Sequence, residues 1–282
     1  MRLLKKFYDE ISRMWILSGF MLRLSLQERI FISFFVMSLM FISTINIIFN
    51  STFQNVLAYQ MSELKYAFKS WYDLAVHMGI AASSIFIVLV ISVSFLPIIK
   101  HAFRKDYLEI FLSKPVRLGT YILSMFFAFL ASIFILTFFW WIFVLLTVFI
   151  HAHVWAAGSV YPFFCVFAFG AVCLAGFMFF YSIARSPLAS VFTLFLSVGS
   201  IVINDDVLTR SVQENANGIW MFVFEWSKLI FSSISDWVAL AFDPESAIDV
   251  KVLVLRTILL MLFFILAGTL NFRRHLKRDE FA

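Results

Sequence analysis

A short charged segment, residues 100–118, carries the side chains whose types and spacing best suit binding of a protein partner. Its apolar side chains recur at helical spacing on one face: Phe103, Tyr107, Ile110 and Phe111. Its charged side chains point elsewhere: Arg104, Lys105 and Glu109. Pro115 ends this predicted helix, because its ring disfavours the α-helical conformation of the preceding residue. A helix of this kind between two spans could convey a push from a partner, although an ordinary connecting loop would show the same pattern.

The sequence lacks the motifs of familiar nucleotide and metal chemistry. It contains no GxxxxGK[ST] phosphate loop and no GxGxxG, HExxH or CxxC motif. His151 and His153 could supply two metal ligands, but no carboxylate lies near them. Cys165 and Cys173 lie about 12 Å apart along a helix, too far for a disulfide, so we interpret both as packing residues. We expect no enzymatic activity, no metal or cofactor in this chain, and no nucleic-acid partner.

The composition is that of a membrane protein, with 62% hydrophobic and 14% charged residues. Soluble domains are about 25% charged. Four stretches contain no Asp, Glu, Lys or Arg: residues 30–62, 74–99, 118–184 and 186–204. A helix needs roughly 20 apolar residues to cross a bilayer core of about 30 Å. The sequence therefore predicts an all-α polytopic protein with six spans within 30–271, near residues 30–50, 76–99, 120–150, 161–184, 188–204 and 251–271.

The basic residues predict the orientation. Sixteen of the 22 lie in segments expected on one side: residues 1–29, 100–118, Arg185 and the tail 272–282. The opposite segments, 51–75 and 205–250, hold four. Cytoplasmic loops carry the excess of Lys and Arg, so both termini are predicted to be cytoplasmic. The first apolar run follows about thirty residues and is too long for a signal peptide, so we expect no cleavage.

The sequence predicts two further amphipathic helices. In residues 1–29, one face holds apolar side chains: Leu4, Phe7, Tyr8, Ile11, Met14 and Trp15. A basic helix of this kind is predicted to lie in the membrane interface, against lipid headgroups. Within 205–250, residues 219–242 repeat the pattern with Val223, Trp226, Ile230, Ile234, Trp237 and Ala241. A seventh span there would move the basic tail outside, so we predict an interfacial or re-entrant helix.

Two other functional classes fit the hydropathy. A secondary carrier or channel usually needs ionisable groups at mid-membrane, and the charge-free runs have none. A few serines alone suggest a polar stripe: Ser92, Ser94, Ser190, Ser197 and Ser200. Arg256 lies about one turn inside the last span, where a long side chain can reach the interface as an anchor. A membrane anchor or assembly subunit without transport activity remains the second alternative.

The segment from Arg104 to Tyr121 resembles the first cytoplasmic loop of the ABC type-2 export permeases, which reads roughly R-E-x-G-T-L-E-x-L-L-S-x-P-V-S-R-x-x-Y. The matching positions in register are Leu108-Glu109, Leu112-Ser113, Pro115-Val116 and Tyr121. Arg104 and Arg117 each lie one position from the family's arginines. The basic tail 271–279 and the overall plan of amphipathic start, six spans and long outer stretch are also similar.

This resemblance implies the permease half of an ABC exporter in a plasma membrane, in bacteria the inner membrane. Two permeases, identical or paralogous, would pair with two separate ATP-binding subunits, which would hold ATP and Mg. The partner-coupling residues implied are Arg104, Lys105, Tyr107, Leu108, Glu109, Phe111 and Pro115. Tyr107 and Phe111 would fill a cleft in the ATP-binding subunit, and the 1–15 helix would provide a flanking contact.

Overall fold

A computed structural model describes residues 2–27, 36, 40, 71–102, 117–152, 160–202, 218–242 and 248–279. Within these ranges the regular structure is helical throughout and contains no strand. The predicted all-α class is therefore confirmed for the described part of the chain.

The helices follow the predicted order along the sequence. α1 spans Arg2–Gln27 and α2 spans Trp71–Leu89. A π-helical segment, Val90–Ser94, joins α2 to α3, which spans Phe95–Ala102. The helical structure is therefore continuous from Trp71 to Ala102. The remaining helices are α4 (Leu118–Ala152), α5 (Val160–Ala184), α6 (Leu188–Val202), α7 (Gly218–Phe242) and α8 (Val250–Asp279).

Four stretches in the described residues are long and apolar enough to cross a membrane: Gly79–Ala102, Leu118–Ile150, Val160–Ala184 and Val250–Arg274. They coincide with the predicted second, third, fourth and sixth spans. The predicted fifth span corresponds to α6, whose apolar part, Leu188–Ser200, is shorter. The predicted first span, 30–50, lies outside the described residues apart from two isolated positions. The four long apolar helices indicate a membrane-inserted protein.

α5 is the central helix of the described bundle. Every residue from 169 to 178 is buried, so this part of α5 is covered on all sides. It packs against α2, α4, α6, α7 and α8. Its small side chains permit this close packing, as is usual between membrane helices. Cys165 and Cys173 are buried, free thiols in α5, in agreement with their interpretation as packing residues.

Hydroxyl side chains inside the bundle donate hydrogen bonds mainly to their own helices. Thr137 donates to the Ile133 carbonyl, and Ser197 to that of Thr193. Ser190 instead crosses from α6 to the π-helical segment, where it donates to the Ser92 carbonyl. Within the predicted polar stripe, Ser92, Ser197 and Ser200 are buried and Ser94 and Ser190 are half-buried, and the buried Ser92 hydroxyl has no hydrogen-bond partner among the described residues.

α7 presents the predicted apolar face to the bundle. Ile234, Trp237 and Ala241 are buried and Ile230 is half-buried, as the helical spacing predicted. The Trp237 indole donates a 2.7 Å hydrogen bond to Thr257 Oγ1 on α8, and both side chains are buried. Val223 and Trp226 lie on the part of α7 whose side chains are outside the described set, and residues 243–247 are also outside it.

Candidate partner-coupling site

The predicted contact residues lie outside the part of the chain that the structure describes. Residues 103–116 are not described, and they include the whole predicted set: Arg104, Lys105, Tyr107, Leu108, Glu109, Phe111 and Pro115. The structure does describe both ends of this segment, which we call the coupling segment. α3 ends at Ala102 on one side, and α4 begins at Leu118 on the other.

A buried hydrogen bond joins the two ends of the coupling segment. The Tyr121 hydroxyl, in the first turn of α4, donates to the Ala102 carbonyl at the end of α3, at 2.9 Å. This hydroxyl gives the Ala102 carbonyl a buried side-chain partner. Tyr121 is only 1% exposed. The two ends of the coupling segment therefore cannot separate without breaking a buried contact.

Aromatic packing continues the contact between α3 and α4 into the bundle. The rings of Phe95 and Phe129 are stacked with centroids 4.3 Å apart, and both are fully buried. Such ring pairs contribute about 0.5–1.5 kcal/mol beyond the burial of their surface. α3 and α4 are thus joined at two levels, by Tyr121 near the loop and by Phe129 about two turns deeper.

α1 packs along the start of α4. The Ser18 hydroxyl donates a buried 3.0 Å hydrogen bond to the Ser124 carbonyl, and Met21 is buried one turn further along. Arg117 Nε lies 3.2 Å from Glu10 Oε1, with the side chains 68% and 35% exposed. Solvent screens such an exposed pair, which contributes less than about 1 kcal/mol. The buried Ser18 and Met21 contacts therefore hold α1 in place more than the ion pair does.

The predicted apolar face of α1 is divided between two environments. Ile11 and Met14 are half-buried toward α4, whereas Tyr8 and Trp15 are 72% and 67% exposed. Ile16 and Phe20 extend this exposed side, which we call the aromatic side of α1. A single apolar face predicted from the sequence thus becomes a packing face and an aromatic side. The side chains of Leu4 and Phe7 are outside the described set.

Several basic side chains lie at the same end of the bundle as the coupling segment. α4 and α5 are antiparallel, with Trp141 and Phe163 in contact at the opposite end. Tyr181, late in α5, contacts Phe272 of α8, with ring centroids 6.3 Å apart. The coupling end therefore carries the exposed residues Lys100, Arg117, Arg185, Arg273 and Arg274.

The turn between α5 and α6 at this end has an unusual backbone. Arg185 has φ 46°, in the left-handed region that side chains other than glycine rarely adopt. Its backbone N–H donates to the Tyr181 carbonyl at 2.9 Å, which ends α5. Ser186 Oγ accepts from the Leu188 N–H at 3.3 Å, and Pro187 directly precedes α6. This arrangement fixes the Arg185 backbone at the coupling end with a turn of only three residues.

Sequence reasoning missed the contacts that hold the frame of this site. Tyr121 was noted as a motif position, but its bond to Ala102 depends on how α3 and α4 meet. The Ser18 and Glu10 contacts join residues more than a hundred positions apart, and no local pattern reveals them. The signal available was the placement of Tyr121 just after a charged segment between two apolar runs.

The described contacts hold α1, α3 and α4 together beside the ends of the coupling segment. Among the described residues, no group of three or more His, Cys, Asp or Glu side chains could hold a metal ion. What the frame can do is transmit force, because three helices are joined at the ends of one short segment. No protein-family model and no curated protein matches the sequence.

Proposed function

We propose that this chain is the permease subunit of an ABC exporter. Two permeases, identical or paralogous, would form the substrate path, and separate ATP-binding subunits would bind ATP and Mg and drive it. The observation that carries the proposal is the 2.9 Å hydrogen bond from Tyr121 to Ala102, which joins the two ends of the coupling segment. The resemblance of Arg104 to Tyr121 to the family's first cytoplasmic loop supplies the kind of partner.

The mechanism follows from how the loop is held. A partner that pushes on residues 103–116 would displace α3 and α4 together, because their ends are joined at Tyr121 and stacked at Phe95 and Phe129. The displacement would reach α1 through Ser18 and Met21. A loop with unlinked ends would dissipate the same push by changing its own shape. Tyr107 and Phe111 would provide the apolar contacts with the ATP-binding subunit, and Arg104, Lys105 and Glu109 its charged rim.

We further propose six spans in the plasma membrane, which in bacteria is the inner membrane. Both termini and the coupling segment would lie in the cytoplasm. Residues 30–50 would form the first span and α6 the fifth. α6 is 15 residues long, which corresponds to about 22 Å and requires a thinned bilayer or flanking residues in the interface. The basic residues at the coupling end support this orientation under the positive-inside rule.

The two amphipathic helices have interfacial positions in this proposal. The aromatic side of α1 would enter the boundary between headgroups and acyl chains, where Tyr and Trp are favoured. α7 would lie at the outer surface or re-enter the bilayer from that side, since Glu225, Lys228 and Asp236 interrupt its apolar sequence. Trp237 and Thr257 would then join α7 to the outer half of α8.

A secondary carrier is the weaker alternative. Its polar stripe would have to bind a substrate or ion, yet the hydroxyls of Ser197, Ser200 and Thr193 already donate to carbonyls of α6. A non-transporting anchor would need no coupled loop, and transport by reconstituted vesicles separates it from a permease.

The topology is tested by single cysteines at Ser113 and Asn215 in a variant with Cys165 and Cys173 changed to alanine. A membrane-impermeant thiol reagent added to intact cells should label the cysteine at position 215 and leave that at position 113 unlabelled until the cells are opened. The basic-residue asymmetry gives this expectation. Labelling of both positions from the same side would rule out the six-span arrangement.

The coupling role is tested by replacing Tyr107 and Phe111 together with alanine. Truncation of buried aromatic anchors at an interface commonly costs about 2 kcal/mol or more. We expect capture of the ATP-binding subunit in detergent to fall at least tenfold, and permease-stimulated ATP hydrolysis in lipid to fall with it. Insertion and yield of the permease should be unchanged, because both side chains lie outside the predicted spans.

Glu109→Lys is the matched control within the same segment. A rim charge is largely solvated, so this change should weaken capture much less than the double alanine variant. Full capture and full stimulation by the Tyr107/Phe111 variant would move the contact to another surface, with the 1–15 helix the next to test.

A further inference from the structure

We propose that the exposed face of α8 at the coupling end binds a phospholipid with an anionic headgroup. The inference requires only that α8 is membrane-inserted, so it stands apart from the proposed export function. It concerns one face of α8, which carries a row of large apolar side chains followed by two arginines.

The row follows helical spacing and is at least half exposed at every position, although Phe263 also contacts Phe179 of α5, with ring centroids 6.2 Å apart. Six side chains, which we call the leucine stripe, are each between 50% and 62% exposed: Leu255, Leu259, Leu262, Phe263, Leu266 and Leu270. The opposite face of α8 is buried at Leu260, Phe264 and Phe272, each at most 6% exposed. Three- and four-residue steps place the leucine stripe on one side of the helix. Only one side of α8 therefore belongs to the core.

The two arginines continue the leucine stripe. Arg273 follows Leu270 by three residues, Arg274 is adjacent, and both are exposed. On a helix this places Arg273 directly beyond the last leucine of the stripe, about 5 Å further along the axis. Between Val250 and Arg274 the chain contains no Asp or Glu that could pair with these guanidinium groups along α8.

The leucine stripe is long enough to contact the acyl chains of one leaflet along their whole length. Leu255 to Leu270 covers about 22 Å of helix, and half of a hydrocarbon core is about 15 Å. Acyl chains packed along the leucine stripe would place the phosphate of their headgroup beside Arg273 and Arg274. Arginine binds phosphate through paired N–H donors, so an anionic headgroup is held more strongly than a zwitterionic one.

A second copy of the chain fits this face less well. Two copies inserted in the same orientation and joined through the leucine stripe would bring two pairs of arginines together. The stripe offers no acidic side chain to offset that repulsion. A lipid phosphate supplies the missing negative charge.

The test measures phosphatidylglycerol binding to the purified full-length protein by native mass spectrometry. Arg273→Gln with Arg274→Gln should weaken phosphatidylglycerol binding about twenty-fivefold, since each basic residue near an anionic headgroup contributes roughly fivefold. Phosphatidylcholine binding should remain unchanged. Inorganic phosphate should not displace the lipid, because it lacks the chains that contact the leucine stripe.

The matched control is Lys251→Gln with Arg256→Gln, which removes the same charge from exposed positions at the other end of α8. It should leave phosphatidylglycerol binding at the wild-type level. Equal loss in both variants would mean that net charge alone governs binding and would overturn the proposal, as would no loss in the Arg273/Arg274 variant.

A second measurement uses the wild-type protein and does not depend on any variant folding. A photoactivatable phosphatidylglycerol should cross-link to peptides from the second half of α8, and a phosphatidylcholine analogue should do so less. Cross-links confined to other helices would overturn the proposal.

Discussion

Replacing Gly170 with leucine should prevent the bundle from packing, because three helices meet at this position. A Cβ atom on Gly170 would lie 2.9 Å from Ile87 Cγ2 of α2 and 3.1 Å from Ile133 Cγ2 of α4. Even an alanine would force one of these side chains to shift, and leucine adds three more carbon atoms. Overpacking a close-packed interior typically costs 1–3 kcal/mol, so a fall of about that size or larger is expected.

The measurement is the thermal unfolding temperature in detergent, together with the monodisperse fraction on size-exclusion chromatography. Gly19→Leu is the matched control, since a Cβ at Gly19 meets nothing within 4 Å. That variant should unfold at the wild-type temperature. Ile87→Ala combined with Gly170→Leu should recover part of the loss, because it removes the nearest contact. A Gly170→Leu protein as stable as wild type would show that α2, α4 and α5 do not meet closely here.

The position of Gly170 illustrates what the sequence alone could predict. The charge-free runs predicted helices at 120–150 and 161–184, and these are α4 and α5, because a continuous apolar run has few alternatives in a membrane. Composition could not predict that α5 is central, since its neighbours are equally apolar. The central position of α5 depends on small residues at the points where neighbouring helices approach it. Gly170 and Gly176 can be recognised as such residues only when the positions of Ile87 and Leu196 are known.

The amphipathic patterns predicted which side chains are buried more accurately in α7 than in α1. In α7 the predicted apolar face is buried at Ile234, Trp237 and Ala241, because this face packs against the helix bundle. In α1 the predicted face divides, with Met14 toward α4 and Trp15 exposed. A helix beside both a bundle and a membrane has two apolar environments, and helical periodicity distinguishes only apolar from polar.

The sequence predicts a partner-coupling segment, but it does not predict how the ends of that segment are held. The charged run between two spans marked residues 100–118, and the family resemblance added Tyr121. That the tyrosine joins Ala102 follows from the antiparallel approach of α3 and α4, a tertiary contact across nineteen positions. The contact makes Tyr121 the residue whose alteration should separate stability from coupling.

Tyr121→Phe removes one hydroxyl and leaves the buried ring. The Ala102 carbonyl then loses a partner at the end of α3, and leaving a buried polar group unsatisfied costs about 1–3 kcal/mol. The unfolding temperature should fall modestly, and the ends of the coupling segment should no longer be tied. We therefore expect capture of the ATP-binding subunit to persist while permease-stimulated ATP hydrolysis and transport in vesicles decrease several-fold.

Tyr121→Ala also removes the ring and should destabilise the protein far more, since truncating a large buried aromatic side chain costs about 3–5 kcal/mol. Tyr161→Phe is the matched control: it removes the same hydroxyl from a half-buried tyrosine at the opposite end of the bundle, and it should leave coupling unchanged. The decisive measurement compares permease-stimulated ATP hydrolysis with the Tyr121→Phe and Tyr161→Phe variants at equal protein yield. If both couple as well as wild type, the bond to Ala102 supports only the fold, and force from the partner must reach the spans through α1 and its contacts at Ser18 and Met21.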